Sequence, residues 1–145
     1  MSYTYRDNTD EVLDALERAK KRGLTAIGMT AEAHAKKVLT KEVYTGDKDW
    51  PLTGRLRNSI TFAISGEPAN ISSYSGDHGE VGGSYSGTAP KEKDDAVYIG
   101  TNVEYAPGIE LGTHRSKGAV HFLQKGVTEP IDKFKELMED SMKNA

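Results

Sequence analysis

Cysteine is absent from the 145 residues, which removes disulfide scaffolds, thiol chemistry and Cys-based zinc sites. Long apolar runs are missing too. No stretch approaches the roughly 20 apolar residues of a membrane span. The opening residues, Met1 to Asp7, lack the apolar core of a secretory signal. A soluble protein made in a cytoplasm is expected. Aromatic residues are sparse at 8%, too few for a base-stacking platform. A concentrated basic patch is also lacking. Residues 1–60 carry 11 Lys or Arg against 9 Asp or Glu, residues 61–145 carry 8 against 13, and the net charge is −3. A protein that grips phosphate backbones by charge is therefore disfavoured. With 36% hydrophobic residues the chain can build one modest core, so residues 1–145 are read as a single domain.

What is present begins with a long helix. Asn8 or Thr9 can cap its start, and Asp10, Glu11 and Asp14 suit the positive end of its dipole. Val12, Leu13, Leu16, Ala19, Gly23, Ile27, Ala31, Ala35 and Val38 recur at steps of three or four, which predicts one apolar stripe. No Pro interrupts residues 10–40, while Gly23 and Gly28 weaken the middle and allow a bend. Residues 45–54 are rich in turn formers and read as a loop.

The run Ser59 to Ser65 then alternates, with Ile60, Phe62 and Ile64 inward, and predicts a half-buried strand. Ile71 to Tyr74 is a weaker strand. Residues 75–95 are rich in Gly and charge, with Val81 alone among polar neighbours, and read as a long flexible hairpin loop. Its two flanks are expected to pair with each other. Ala96 to Gly100 is a second clear strand. Pro107 suits the first turn of a short helix over Gly108 to Leu111 that Gly112 ends. In the last helix Ile131, Phe134, Met138 and Met142 share a face; Thr128 caps it, or else it begins at His121 and is kinked by Pro130. The fold class expected is α+β, with a long N-terminal helix and a C-terminal helix on a small antiparallel sheet.

Chemistry-bearing patterns are weak. His34, His78, His114 and His121 match no metal spacing and read as surface or edge residues. Gly82 to Gly87 has the glycines of a phosphate cradle but neither the Lys-Ser/Thr nor the adjoining helix. Asp94 with Asp95, and Glu104 with Glu110, are read as solvated charges rather than an acid–base pair. Arg55 and Arg57 flank Leu56; they can clamp an anion, but pairing with the acidic C-terminal half is the favoured reading. No catalytic residue, metal ligand or cofactor site is assigned.

Two stretches carry a family likeness. Leu52-Thr53-Gly54-Arg55-Leu56-Arg57-Asn58-Ser59-Ile60 resembles the T-G-x-L-R-x-S-I run of phage tail-completion and neck proteins. Val97 to Thr113 is similar to that family's G-T-N-V-x-Y-A-x-x-x-E-x-G-T signature. The following His121-Phe122-Leu123-Gln124-Lys125-Gly126 keeps a Phe-Leu pair but lacks the prolines and the Arg usual there. The resemblance implies a structural virion protein at the head–tail junction of a long-tailed bacteriophage, assembled in the host cytoplasm. It further implies a ring, by likeness a hexamer, that completes the tail and meets the head connector or stopper and the tail tube or terminator. DNA would pass through the lumen without specific binding, which an acidic surface suits. The nearest alternative is a tail terminator or head-side stopper ring. An alternative of another class is a small enzyme with a site near Glu110, His114 and Arg115.

Overall fold

The computed structural model describes residues 7–43, 53–112 and 118–145. Helix α1 spans Thr9–Glu42, about 51 Å at 1.5 Å per residue. Neither Asn8 nor Thr9 caps it with a side chain. The Asp7 carboxylate does so instead, accepting from the Thr9 N–H at 2.9 Å and the Thr9 hydroxyl at 2.5 Å. The apolar stripe holds only from the third turn onward: Ala19, Gly23, Leu24, Gly28, Ala31, Ala35, Val38 and Leu39 are buried. Val12, Leu13 and Leu16 remain exposed.

After the short helix α2 (Arg55–Ser59), strand β1 (Thr61–Ile64) pairs antiparallel with β4 (Val97–Gly100), placing Phe62 opposite Ile99 and Ile64 opposite Val97. As the alternation requires, Ile60 and Phe62 are buried, and Ile64 is half-buried. Phe62 faces α1 at Gly28, where a Cβ would collide with the aromatic ring. The glycine expected to bend the helix is in fact a site of close packing.

The segment expected to be one open loop is divided. Strand β2 (Ser73–Tyr74) pairs with β3 (Gly83–Ser84), inside the expected loop. Backbone bonds from Tyr85 to Ser72 and between Ala89 and both Gly66 and Glu67 extend this hairpin as an irregular ribbon. The flanks 71–74 and 97–100 therefore do not pair with each other; β4 prefers β1, whose four residues complete a ladder against the helix.

Helix α3 (Ala106–Leu111) starts with Pro107 in its first turn and stops at Gly112, whose φ of 86° suits a residue without Cβ. The C-terminal part is two helices, α4 (Phe122–Thr128) and α5 (Ile131–Lys143). Thr128 does not cap α5. It closes α4, its hydroxyl donating to the Gln124 carbonyl at 2.8 Å. On α5 the face turned inward is Phe134, Leu137, Met138 and Ser141, half-buried, whereas Ile131 and Met142, expected on that face, stand exposed. A Cβ on Gly23 would lie 2.6 Å from Met138 Sδ, and Gly126 of α4 abuts Ala31 and Ala35. The C-terminal helices thus run antiparallel along α1. The core lies towards the C-terminal half of α1, where Ala35, Val38, Leu39 and Val43 meet Leu56, Ile60, Val103, Ala106, Ile109 and Phe122.

Candidate functional site

The two motif stretches, distant in sequence, meet around α2. Gly54 precedes that helix with φ 78°, and its α-carbon faces the Asp77 carboxylate of the hairpin, leaving no room for a side chain. Arg55 forms a fork onto Glu104, Nη1 to Oε1 at 2.9 Å and Nη2 to Oε2 at 3.2 Å, and its guanidinium lies 6.0 Å from the Tyr105 ring centroid. The hydrogen bond from Arg55 holds the Glu104 carboxyl below its ordinary value. Arg57 donates to Asp77 at 2.6 Å, and Asn58 Nδ2 donates to Asp77 and to the Ser75 carbonyl, both at 2.9 Å. Asn58 first, then Arg57, lowers the Asp77 pKa.

Beneath this lies a second layer. The Ser59 hydroxyl, fully buried, bonds the Leu56 carbonyl at 2.6 Å and shares a 2.5 Å hydrogen bond with Thr101. The Tyr85 hydroxyl donates to the Ser59 carbonyl, and burial raises the Tyr85 pKa. Tyr74 donates to Asn102 Oδ1 at 2.5 Å, while Asn102 Nδ2 donates to the Ser84 carbonyl at 2.8 Å. The Tyr74 and Tyr85 rings pack at 5.5 Å between centroids. The network ties α2, the turn after β4 and the β2–β3 hairpin into one unit. A hollow of about 300 Å³ lies between this hairpin and the β1–β4 ladder, lined by Thr61, Ala63, Tyr85, Pro90 and Tyr98 among others.

Its chemistry is that of a clasp. The anion-clamp reading of Arg55 and Arg57 gives way to pairing with Glu104 and Asp77, acids of the C-terminal half. Glu110 is also engaged: its carboxylate accepts from the Leu123 N–H at 2.8 Å and the Gln124 N–H at 3.1 Å. It therefore caps α4, whose own leading residue, His121, has φ 54° and no capping bond. Glu104 and Glu110 serve separate partners, Arg55 and the start of α4. Asp95 binds Lys20 at 3.0 Å and His34 binds Glu129 at 2.9 Å. The His78 backbone N–H donates to Glu80 at 2.9 Å. His114 and Arg115 lie outside the described residues, as do Leu52, Thr113 and most of the loop over 45–54.

Among the described residues no group of three or more His, Asp or Glu is placed to hold a metal ion, and no helix is long and apolar enough to cross a membrane. The pairing of Arg55 and Arg57 with acids was legible from charge. The roles of Asp77, Tyr74 and Tyr85 were not, because they depend on a hairpin whose register no local pattern sets, and the Ser59–Thr101 bond was not, because it joins residues 42 apart in sequence. Comparison with protein-family models, with curated proteins and with solved structures finds no match for this chain.

Proposed function

We propose that this chain is a structural protein of the head–tail junction of a long-tailed bacteriophage, working as a ring that completes the tail and joins it to the head connector. The observation that carries this reading is the clasp. The two stretches that resemble the tail-completion family, residues 53–60 and 97–112, fold against each other, Arg55 binding Glu104 and Ser59 binding Thr101. Arg55, Ser59, Thr101, Asn102, Glu104 and Glu110 all have structural partners within the chain. The acidic balance of residues 61–145 suits a lumen along which DNA slides rather than sticks.

The test is genetic and visual. A nonsense codon in the gene of the encoding phage should yield filled heads and separate tails, and complementation should restore joined particles. Cryo-EM of complete particles should show several copies as a ring between connector and tube. Joined, infectious particles formed without the protein, or a single copy at the junction, would overturn the proposal.

A further inference from the structure

Two rows of backbone groups lack partners, and they face each other. In the β1–β4 ladder the Ser65 N–H donates to the Ala96 carbonyl at 2.9 Å. The alternation of an antiparallel pair then turns the backbone groups of Tyr98 and Gly100 towards β1, and those of Val97 and Ile99 away from it. On the other side of β1 the Asn70 N–H donates to the Phe62 carbonyl at 2.8 Å and the Ile71 N–H to the Thr61 hydroxyl at 3.2 Å. These bonds set the hairpin ribbon beside the ladder. Across the ribbon the Tyr85 N–H donates to Ser72 at 2.9 Å and the Ala89 N–H to Glu67 at 2.8 Å. By the same alternation Ser84, Ser86 and Thr88 turn their backbone groups outward. The spatial order is thus 83–89, 67–74, β1, β4, each stretch antiparallel to the next, with a bare edge at either end.

The two edges curl towards one another. The hollow of about 300 Å³ lies between them, with residues 85–90 on one wall, residues 98–102 on the other, and Thr61 and Ala63 at the bottom. Asn102 Nδ2, donating to the Ser84 carbonyl at 2.8 Å, closes one end. The result is an open barrel whose seam is a slot. No residue lining it is charged. Among the described residues none bonds the outward backbone groups of Val97, Ile99, Ser86 or Thr88. Strand β4 reads Val-Tyr-Ile-Gly, without the lysine or proline that commonly guards a sheet edge.

We propose that this slot takes an extended, uncharged peptide segment of a partner protein, which adds as a strand between β4 and residues 86–88. Main-chain hydrogen bonds on both sides hold it, as in other cases of strand addition to a sheet edge. Because the two edges run antiparallel, the segment lies parallel to one and antiparallel to the other. Its lack of charge follows from the lining, which offers no ionic partner to an acid or a base. The occupant is a segment with no sheet partner of its own. Each strand described in this chain already has a neighbour on at least one side, so no such strand of a second copy can offer both of its edges to the slot. This inference goes beyond the junction reading and does not depend on it.

The probe is a capped, fluorescent pentapeptide of alternating Val and Thr, titrated into the full-length protein. Saturable binding by anisotropy is expected. The amides of Val97, Ile99, Ser86 and Thr88 should exchange quickly with solvent in the free protein and become protected in the complex. N-methylation of alternate peptide residues, or Glu in place of Thr, should weaken binding at least tenfold. Gly100→Phe should do the same, because a Cβ there meets nothing within 4 Å and the ring can enter the slot without displacing the chain. Val97→Pro, the second variant, removes one outward N–H and leaves the ladder to β1 intact; each variant is checked for a cooperative melt. No saturable binding, or binding that survives the blocking variant that folds, overturns the proposal. Protection of the Val97 and Ile99 amides in the free monomer also overturns it, since a segment of the chain itself then fills the slot. So does a dimer in sedimentation that Gly100→Phe abolishes, which assigns the slot to a second copy.

Discussion

Two glycines in α1, five residues apart, are separated by what stands opposite them. Alanine at either position gains about 1 kcal/mol of helix propensity. At Gly28 the new methyl would enter the ring of Phe62, a buried side chain held between α1 and β1, and overpacking of that kind costs about 1–3 kcal/mol. At Gly23 the obstacle is the Sδ and Cε of Met138, with Ser141 Cβ at 3.3 Å. Met138 is half-buried on a surface helix, and a thioether can swing aside. We expect Gly28→Ala to lower the midpoint of urea unfolding and Gly23→Ala to leave it unchanged or raise it. Equal shifts from both would show that helix propensity, not packing, governs these sites. The sequence exposes both glycines on the apolar stripe but not their neighbours, so a bend was the natural expectation and close approach the outcome.

Helix α4 has no cap of its own, since His121 turns through a left-handed conformation, and two of its first N–H groups depend on Glu110. Glu110→Ala should cost about 0.5–2 kcal/mol, the range for loss of an N-cap. Glu110→Gln keeps one acceptor oxygen and should lose less. Chemical denaturation of the two variants checks the order, and an unchanged Glu110→Ala midpoint would remove the capping role. The hairpin gives a second contrast at this scale. Shortening residues 75–82 deletes Asp77, on which Arg57, Asn58 and the Thr53 carbonyl converge. Thermal unfolding of that variant should fall well below wild type, whereas replacing residues 91–94 with a short Gly-Ser link should change it little. The opposite order would mean that the clasp contributes no stability. Element types were well legible in the sequence: the long helix, both strands of the main ladder and the Pro107–Gly112 helix follow from period, Pro and Gly. Strand pairing was not. With only two residues in each of β2 and β3, apolar alternation carries no register there, and polar side chains from elsewhere in the chain fix it. The α5 face was misread for a related reason. Periodicity alone places Ile131 and Met142 inward, but they are the first and next-to-last residues of α5, where little of α1 lies opposite, and both are exposed.

At the scale of the whole molecule, two carboxylates of the clasp predict how stability responds to acid. Asp77 and Glu104 titrate below their ordinary values of 3.8 and 4.5. A carboxylate with a depressed folded pKa contributes fully above its ordinary value and loses that contribution as pH falls through the folded one. Side chains 39% and 71% exposed are screened by solvent, so each contributes modestly. The urea midpoint should therefore be flat down to about pH 5 and decline below about pH 4. Asp77→Asn should start lower and converge with wild type at the acid end; parallel curves throughout would show that Asp77 is not part of the acid response. The antiparallel pairing of α1 with α5 sets a further condition, one of time. Gly23 leaves the ribosome well before Met138, which packs on it, so α1 waits for α5. At about 5–20 residues per second that interval is on the order of ten seconds. Through it Phe62, Leu56 and Ile60 are already at hand for Gly28 and Ala35, so the later half of α1 can be covered while Gly23 still waits for α5.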